Sequence, residues 1–303
     1  MNMKKIPLGL LALIWLSSLH AQNAQPVQPA PAPSASPAPP ALQQAQEPTN
    51  AAEAEAKAKA AEAKKAREAA ISVKYKALVA TLPPDQQAWE QVLQDNLGGF
   101  YLPAHEADKL AGKSNAWDFV KDDPKLPRVL LIGDSVSRGY TQATRKYLAG
   151  KANVHRAPEN CGPVRNGIKK MDIWLGDGKW DVIHFNFGIH DRETPLDTYT
   201  QGLEAIVERL QKTGAKLIWT STTPIPDDPK QKYVPASIVQ HNQAAAEVMR
   251  KHQIPVDDLF TAVTPHLSEY QPPLNCHFKD EGYDFLGQHV AESIQTRLNS
   301  TNP

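Results

Sequence analysis

Cysteine is almost missing: two in 303 residues, too few for a disulfide framework. Net charge is missing as well. The 33 Lys and Arg balance the 33 Asp and Glu, and no basic cluster stands out, so the chain lacks the electrostatic footprint of a nucleic-acid binder. His155, His241, His252, His266 and His289 show no metal-site spacing, and no Cys/His cluster exists, so neither a metal nor another cofactor is implied. Long apolar runs are absent apart from Ile6 to Leu19, which is too short and interrupted for a membrane span.

What is present changes along the chain. Lys4 and Lys5, the apolar stretch and Leu19-His20-Ala21 have the layout of a secretory signal over residues 1–21. This implies a secreted or periplasmic protein with no stable membrane span after cleavage. Residues 22–49 are Pro, Ala, Gln and Ser with almost no large apolar side chain, which reads as a disordered linker. Residues 50–82 turn to Ala, Glu and Lys. Glu53 with Lys57 and Glu55 with Lys59 sit one helical turn apart, as in a solvated helix. Residues 83–125 read as an N-terminal extension packed on the main domain. Its helix starts near Pro84-Asp85, carries Trp89, Val92, Leu93 and Leu97 on one face, and ends at Gly98-Gly99.

Over residues 126–299 strands alternate with helical patterns. The strands are expected at 128–133, 152–155, 181–187, 215–221 and 255–259, and three of the helices at 198–212, 234–253 and 281–298. That alternation implies a three-layer α/β/α sandwich with a mostly parallel sheet. In such sheets ligands sit at the carboxyl ends of the strands. Four stretches fall there: Gly133-Asp134-Ser135, Asn160-Cys161-Gly162-Pro163, Gly188-Ile189-His190-Asp191 and Asn275-Cys276-His277. Alone, Ser135 reads equally as a helix cap.

The order and spacing of these four stretches resemble the SGNH (GDSL-type) hydrolase family of esterases and lipases, over about Leu126 to Arg297. The resemblance implies the flavodoxin-like fold of that family. It makes Ser135 the nucleophile and His277 the general base, with Ser135, Gly162 and His190 as the oxyanion hole. Two positions depart from the family pattern. His190 stands where an asparagine is usual, and an imidazole donates there in only one tautomer. Leu274 stands where an aspartate normally orients the histidine. Asn275, Asp280 or a backbone carbonyl is left to hold the ring, giving a Ser-His dyad or a repositioned acid.

Around these residues Asp134 reads as a turn stabiliser and Asp191 as a loop cap or a substrate contact. Arg138 and Arg192 read as surface residues or as anchors for an anionic group. His184, inside an apolar strand, reads as a core histidine; Trp174, Trp180, Trp219 and Tyr140 read mainly as core, with a sugar cleft the alternative. The family fold would bring Cys161 and Cys276 together, and in an oxidising compartment that favours a disulfide. Such a bridge would stabilise by ~4–5 kcal/mol on the chain-entropy estimate. The expected function is a secreted serine esterase acting on small acyl esters, O-acetyl groups on carbohydrate above all. Acyl transfer to a sugar and a catalytically degenerate glycan- or cell-wall-binding module are the alternatives.

Overall fold

A computed structural model describes residues 50–300; the expected signal segment and linker lie outside the described residues. The chain divides into two units, residues 1–53 and 54–303, and the fold described below belongs to the second.

Five strands form one parallel sheet: β1 (Arg128–Ile132), β2 (Asn153–Arg156), β3 (Val182–Phe185), β4 (Lys216–Thr220) and β5 (Val256–Asp257). Their order is β2-β1-β3-β4-β5, all pairs parallel. The reversal of direction on either side of β1 is the switch point where an open α/β sheet leaves a crevice. The strands read as unbroken apolar runs because both faces are covered. Leu130 and Ile132 point into a cluster with Val164, Met171, Leu203 and Val207. Their neighbours Val129 and Leu131 point into one with Val136, Leu286, Val290 and Ile294.

The first face carries α5 (Val164–Leu175), α6 (Leu196–Gln211) and α7 (Pro235–Lys251). The second carries α4 (Ser135–Tyr147), α8 (Leu259–Val263) and α10 (Asp280–Asn299), with the short α9 (Leu267–Tyr270) leading toward the last. Trp174, Trp219 and Tyr140 are core residues, and Trp180 packs half-buried beside them. His184 is fully buried and pairs through Nε2 with Asp257 Oδ2 at 3.0 Å.

The N-terminal helices are α1 (Asn50–Val79), α2 (Pro84–Asn96) and α3 (Gly98–Leu110). The Gly98-Gly99 pair ends α2 as expected, but it also opens a helix that the sequence did not announce. Gly98 adopts φ +68, which turns the chain without breaking it into a loop. The first half of α1 is solvated; its last turns bury Tyr75, whose hydroxyl donates to Glu90 at 2.6 Å. Glu90 is itself fully buried, with His105 Nε2 at 2.8 Å and Lys109 Nζ at 2.7 Å. Burial alone would push the Glu90 carboxyl up, but His105, Lys109 and Tyr75 outweigh it and hold it at about 2. Among the described residues no helix is long and apolar enough to cross a membrane.

Candidate active site

The site grows from the end of β1. Gly133 and Asp134 turn the chain, and Asp134 caps α4 by accepting the Val136 amide at 2.9 Å. Ser135, the first residue of that helix, is nearly buried at 8% exposure. Its Oγ lies 2.8 Å from Nε2 of His277, 142 residues later in the chain. The cap therefore belongs to Asp134, and Ser135 is left free to meet a base.

The ring's other nitrogen, Nδ1, lies 2.9 Å from Asn275 Oδ1. The same oxygen accepts the His277 backbone N–H at 3.0 Å. A backbone N–H can only donate, so the amide group facing the imidazole is the oxygen rather than the nitrogen. Nδ1 must then carry the proton, leaving the lone pair of Nε2 aimed at Ser135. Of the alternatives left open by the sequence, the structure shows a Ser-His dyad without an acid on Nδ1: the amide oxygen of Asn275 holds the ring. Asp280 begins α10, exposed and without contact to His277. Leu274 is 61% exposed and sits in the left-handed region at φ +54, a conformation costing ~1–3 kcal/mol for such a side chain. It aims its side chain at solvent while its carbonyl accepts Gln231 Nε2 at 3.2 Å. Burial lowers the His277 proton affinity below its ordinary value; Asp134 opposes this, and the positive charges of Arg138 and His190 add to it.

Gly162 takes φ +66, and a Cβ there would fall 2.8 Å from Asn166 Nδ2, so the turn needs glycine. The preceding amide, of Cys161, donates to Gly133 O at 3.1 Å and hooks this turn onto the nucleophile turn. The amides of Ser135 and Gly162 find no acceptor among the described residues. Two unpaired N–H groups beside the serine are what a developing oxyanion requires. Asp191 lies buried in the turn after β3 and accepts the Val164 amide at 2.9 Å. It thereby fixes the start of α5 two residues beyond Gly162. Burial raises its pKa; Val164 and Thr194 work against the rise. Gly188 lets the third motif press on the end of β4, since a Cβ would fall 1.8 Å from Thr222 Oγ1. His190 is exposed at the rim and no hydrogen bond fixes its ring among the described residues.

The expected Cys161–Cys276 bridge is absent; both cysteines are free. Their thiols belong to different clusters. Cys161 lies in the core under α5, and Cys276 packs with Ile189, Ile225 and Ile238, its Sγ 3.2 Å from the Tyr233 hydroxyl. Hydrogen bonds do the tethering instead. Arg192 stabilises a loop rather than facing a ligand: it donates to the carbonyls of Ile189 at 3.0 Å, Gln231 at 3.2 Å and Lys232 at 3.4 Å. That loop in turn holds Leu274 and Cys276, so the third motif and the base-bearing turn are braced together.

One residue of the site escaped the sequence. Arg156, fully buried at the end of β2, donates to Gly133 O at 3.1 Å, Asp134 O at 2.9 Å and Ser137 Oγ at 2.5 Å. Desolvating a guanidinium costs several kcal/mol, and burial lowers its pKa. Three charge-assisted bonds of ~1.5–3 kcal/mol each offset the cost and lock the nucleophile turn. In the sequence Arg156 is one polar residue in the mostly polar strand Asn153-Val154-His155-Arg156, and nothing in that pattern marks it.

A serine at a strand-to-helix turn, a late histidine bonded to it and free amides alongside define a hydrolase-type site on a parallel α/β sheet. Residues 131–285 match the model of the GDSL-like lipase/acylhydrolase family, and the chain belongs to that family. It is an SGNH-type hydrolase of the esterase/lipase kind. Among solved structures it is similar to a lipase/acylhydrolase from Enterococcus faecalis, at 23% identity, 58% of this chain, 100% of that one and TM-score 0.51. It also resembles a GDSL-like lipase from Bacteroides thetaiotaomicron, at 14% identity, 64% of this chain, 97% of that one and TM-score 0.48. An acetylxylan esterase from Geobacillus stearothermophilus matches at 15% identity, 58% of this chain, 97% of that one and TM-score 0.47. No curated protein matches the chain.

Proposed function

We propose that the chain is a secreted serine esterase that removes small acyl groups, O-acetyl above all, from a carbohydrate through an acyl-serine intermediate. The 2.8 Å bond between Ser135 Oγ and His277 Nε2 carries this reading. In it, Nε2 takes the hydroxyl proton as Oγ bonds to the acyl carbon, and the carbonyl electrons move onto oxygen. The amides of Ser135 and Gly162, with His190 at the rim, bear that charge. Collapse expels the sugar alkoxide, which takes the proton back from Nε2. Water then passes a proton to His277 as its oxygen bonds to the acyl carbon, and collapse releases the acid and expels Ser135 Oγ, which takes that proton back from Nε2. Support for secretion and a glycan substrate comes from residues 1–21 and from the family.

Hydrolysis of an acetylated monosaccharide by the wild type, Ser135→Ala and His277→Ala tests the reading. Both variants are expected to lose at least ~10³-fold in kcat. Undiminished turnover by Ser135→Ala refutes the mechanism. No turnover by the wild type, together with tight glycan binding, identifies a degenerate binding module instead. Acetylated product on an added sugar acceptor identifies acyl transfer.

A further inference from the structure

Arg156 and Arg192 are both engaged by backbone carbonyls. Arg138 is different. It lies three residues after Ser135 on α4, on the same side of the helix. Among the described residues no carboxylate stands within ion-pair distance of it, and its buried Nε has no hydrogen-bond partner. The nearby carboxylate of Asp134 is already the cap of α4. The Arg138 guanidinium is half-buried and close enough to His277 to oppose its protonation.

On one side of Arg138 stands the ring of Tyr101, 5.6 Å from the guanidinium carbon. On the other lies Tyr283, whose ring packs against Gly139 and whose hydroxyl feels the Arg138 charge. Tyr101 belongs to α3, outside the segment that matches the family. Its neighbour Phe100 meets it edge to face at 4.7 Å between centroids and is 83% exposed. Phe100, so open to water, continues an aromatic surface that begins at Tyr101, whose hydroxyl engages a guanidinium that has no carboxylate partner among the described residues; such a surface suits an amphipathic ring with a negative group.

We propose that the N-terminal helices complete a subsite for an acidic sugar, in which Arg138 takes the carboxylate of a uronic acid residue while Tyr101 and Phe100 lie against its ring. The planar fork of arginine matches a carboxylate in two parallel hydrogen bonds. Aromatic faces suit the apolar side of a pyranose. This inference rests on the esterase reading for its chemistry and narrows the substrate to acyl esters of acidic glycans.

The test compares a mono-O-acetylated methyl glucuronoside with the equivalent methyl glucoside, using the full chain. The wild type is expected to favour the uronoside by about 10- to 100-fold in kcat/KM, mainly through KM, the range expected for a charged hydrogen-bonded contact. Arg138→Gln is expected to erase the preference, and rising salt to weaken it. Phe100→Ala is expected to raise KM for both sugars and leave their ratio in place. A wild-type ratio near one, or a ratio untouched by Arg138→Gln, overturns the subsite. Calorimetric binding of the two sugars to Ser135→Ala reads the subsite without turnover. A preference there with an inactive wild type sinks the esterase reading and keeps the subsite; turnover without preference does the reverse.

Discussion

Asn275 presents its amide oxygen, not its nitrogen, to Nδ1 of His277, at 2.9 Å. The His277 backbone N–H, 3.0 Å from the same oxygen, fixes that orientation. This matters because an asparagine in place of the usual aspartate can ruin a triad by turning its NH₂ to the ring and forcing the wrong tautomer, at a cost on the order of 10⁴ in rate. Here the local turn prevents that. What is lost relative to an aspartate is the negative charge that would stabilise the imidazolium.

The pH profile follows. In the proposed mechanism His277 acts as base only when neutral, and burial lowers its pKa below the ordinary value of 6.5. Activity of the wild type is therefore expected to rise with pH through a limb below that value and to level off by neutrality. Asn275→Asp adds a negative charge beside Nδ1, favours the imidazolium and moves the limb upward by about one pH unit or more. Asn275→Ala frees the ring and lowers kcat by on the order of 10²–10⁴. Profiles of kcat/KM against pH for the three proteins check all of this; a limb that does not move in Asn275→Asp contradicts the contact.

Arg156 is a positioning residue. Arg156→Leu removes the charge-assisted bonds to the carbonyls of Gly133 and Asp134, which then keep only the Cys161 amide on one and the Arg138 amide and Ser137 hydroxyl on the other. The expected loss is about 2–4 kcal/mol of stability, from the lost charge-assisted hydrogen bonds, together with a fall in kcat at little-changed KM as the Gly133-Asp134-Ser135 turn loosens. Arg156→Lys is expected to recover only part, because an ammonium cannot span the three acceptors. Urea melts and steady-state kinetics measure the two effects.

Glu90 couples the stability of the N-terminal helices to acid. Its pKa, held at about 2 against an ordinary 4.5, is depressed on folding. Its contribution is complete above the unfolded value and is lost as pH falls through the folded one. Glu90→Ala leaves His105 and Lys109 facing a buried space without their anion, at an expected cost of ~3–5 kcal/mol. Thermal melts between pH 7 and pH 2 should show the wild type losing stability below about pH 4.5 and the variant much less so.

Both thiols are predicted to be free and slow. Burial pushes Cys161 up to about 12, and Cys276 is raised as well, so neither forms a reactive thiolate near neutrality. Thiol titration should count two groups after denaturation with no reductant, and almost none in the native protein. One mole of disulfide per chain would contradict this arrangement.

The alternation of apolar strands and amphipathic helices after Leu126 was legible because both sides of the sheet are buried, and all five strand positions agree to within one or two residues at each end. Ser135 and His277 were legible through the order and spacing of four stretches that resemble the family; alone, Ser135 read equally as a helix cap. The start of α3 at Gly98 was not, since glycine reads as a terminator unless its φ is known. Nor could sequence choose among Asn275, Asp280 and a carbonyl, because the choice depends on which atom a backbone N–H orients within one turn. The free cysteines and Arg156 were decided at longer range, by which cluster each side chain enters when strands far apart in the chain come into register. Sequence by itself determined the sheet and the strand-to-helix turn at Gly133-Asp134-Ser135, and its resemblance to the family pointed to the class of chemistry. Only the tertiary structure decided what holds the His277 ring, what locks the turn and which arginine lacks a carboxylate or carbonyl partner, because these follow from hydrogen-bond geometry between segments up to 142 residues apart.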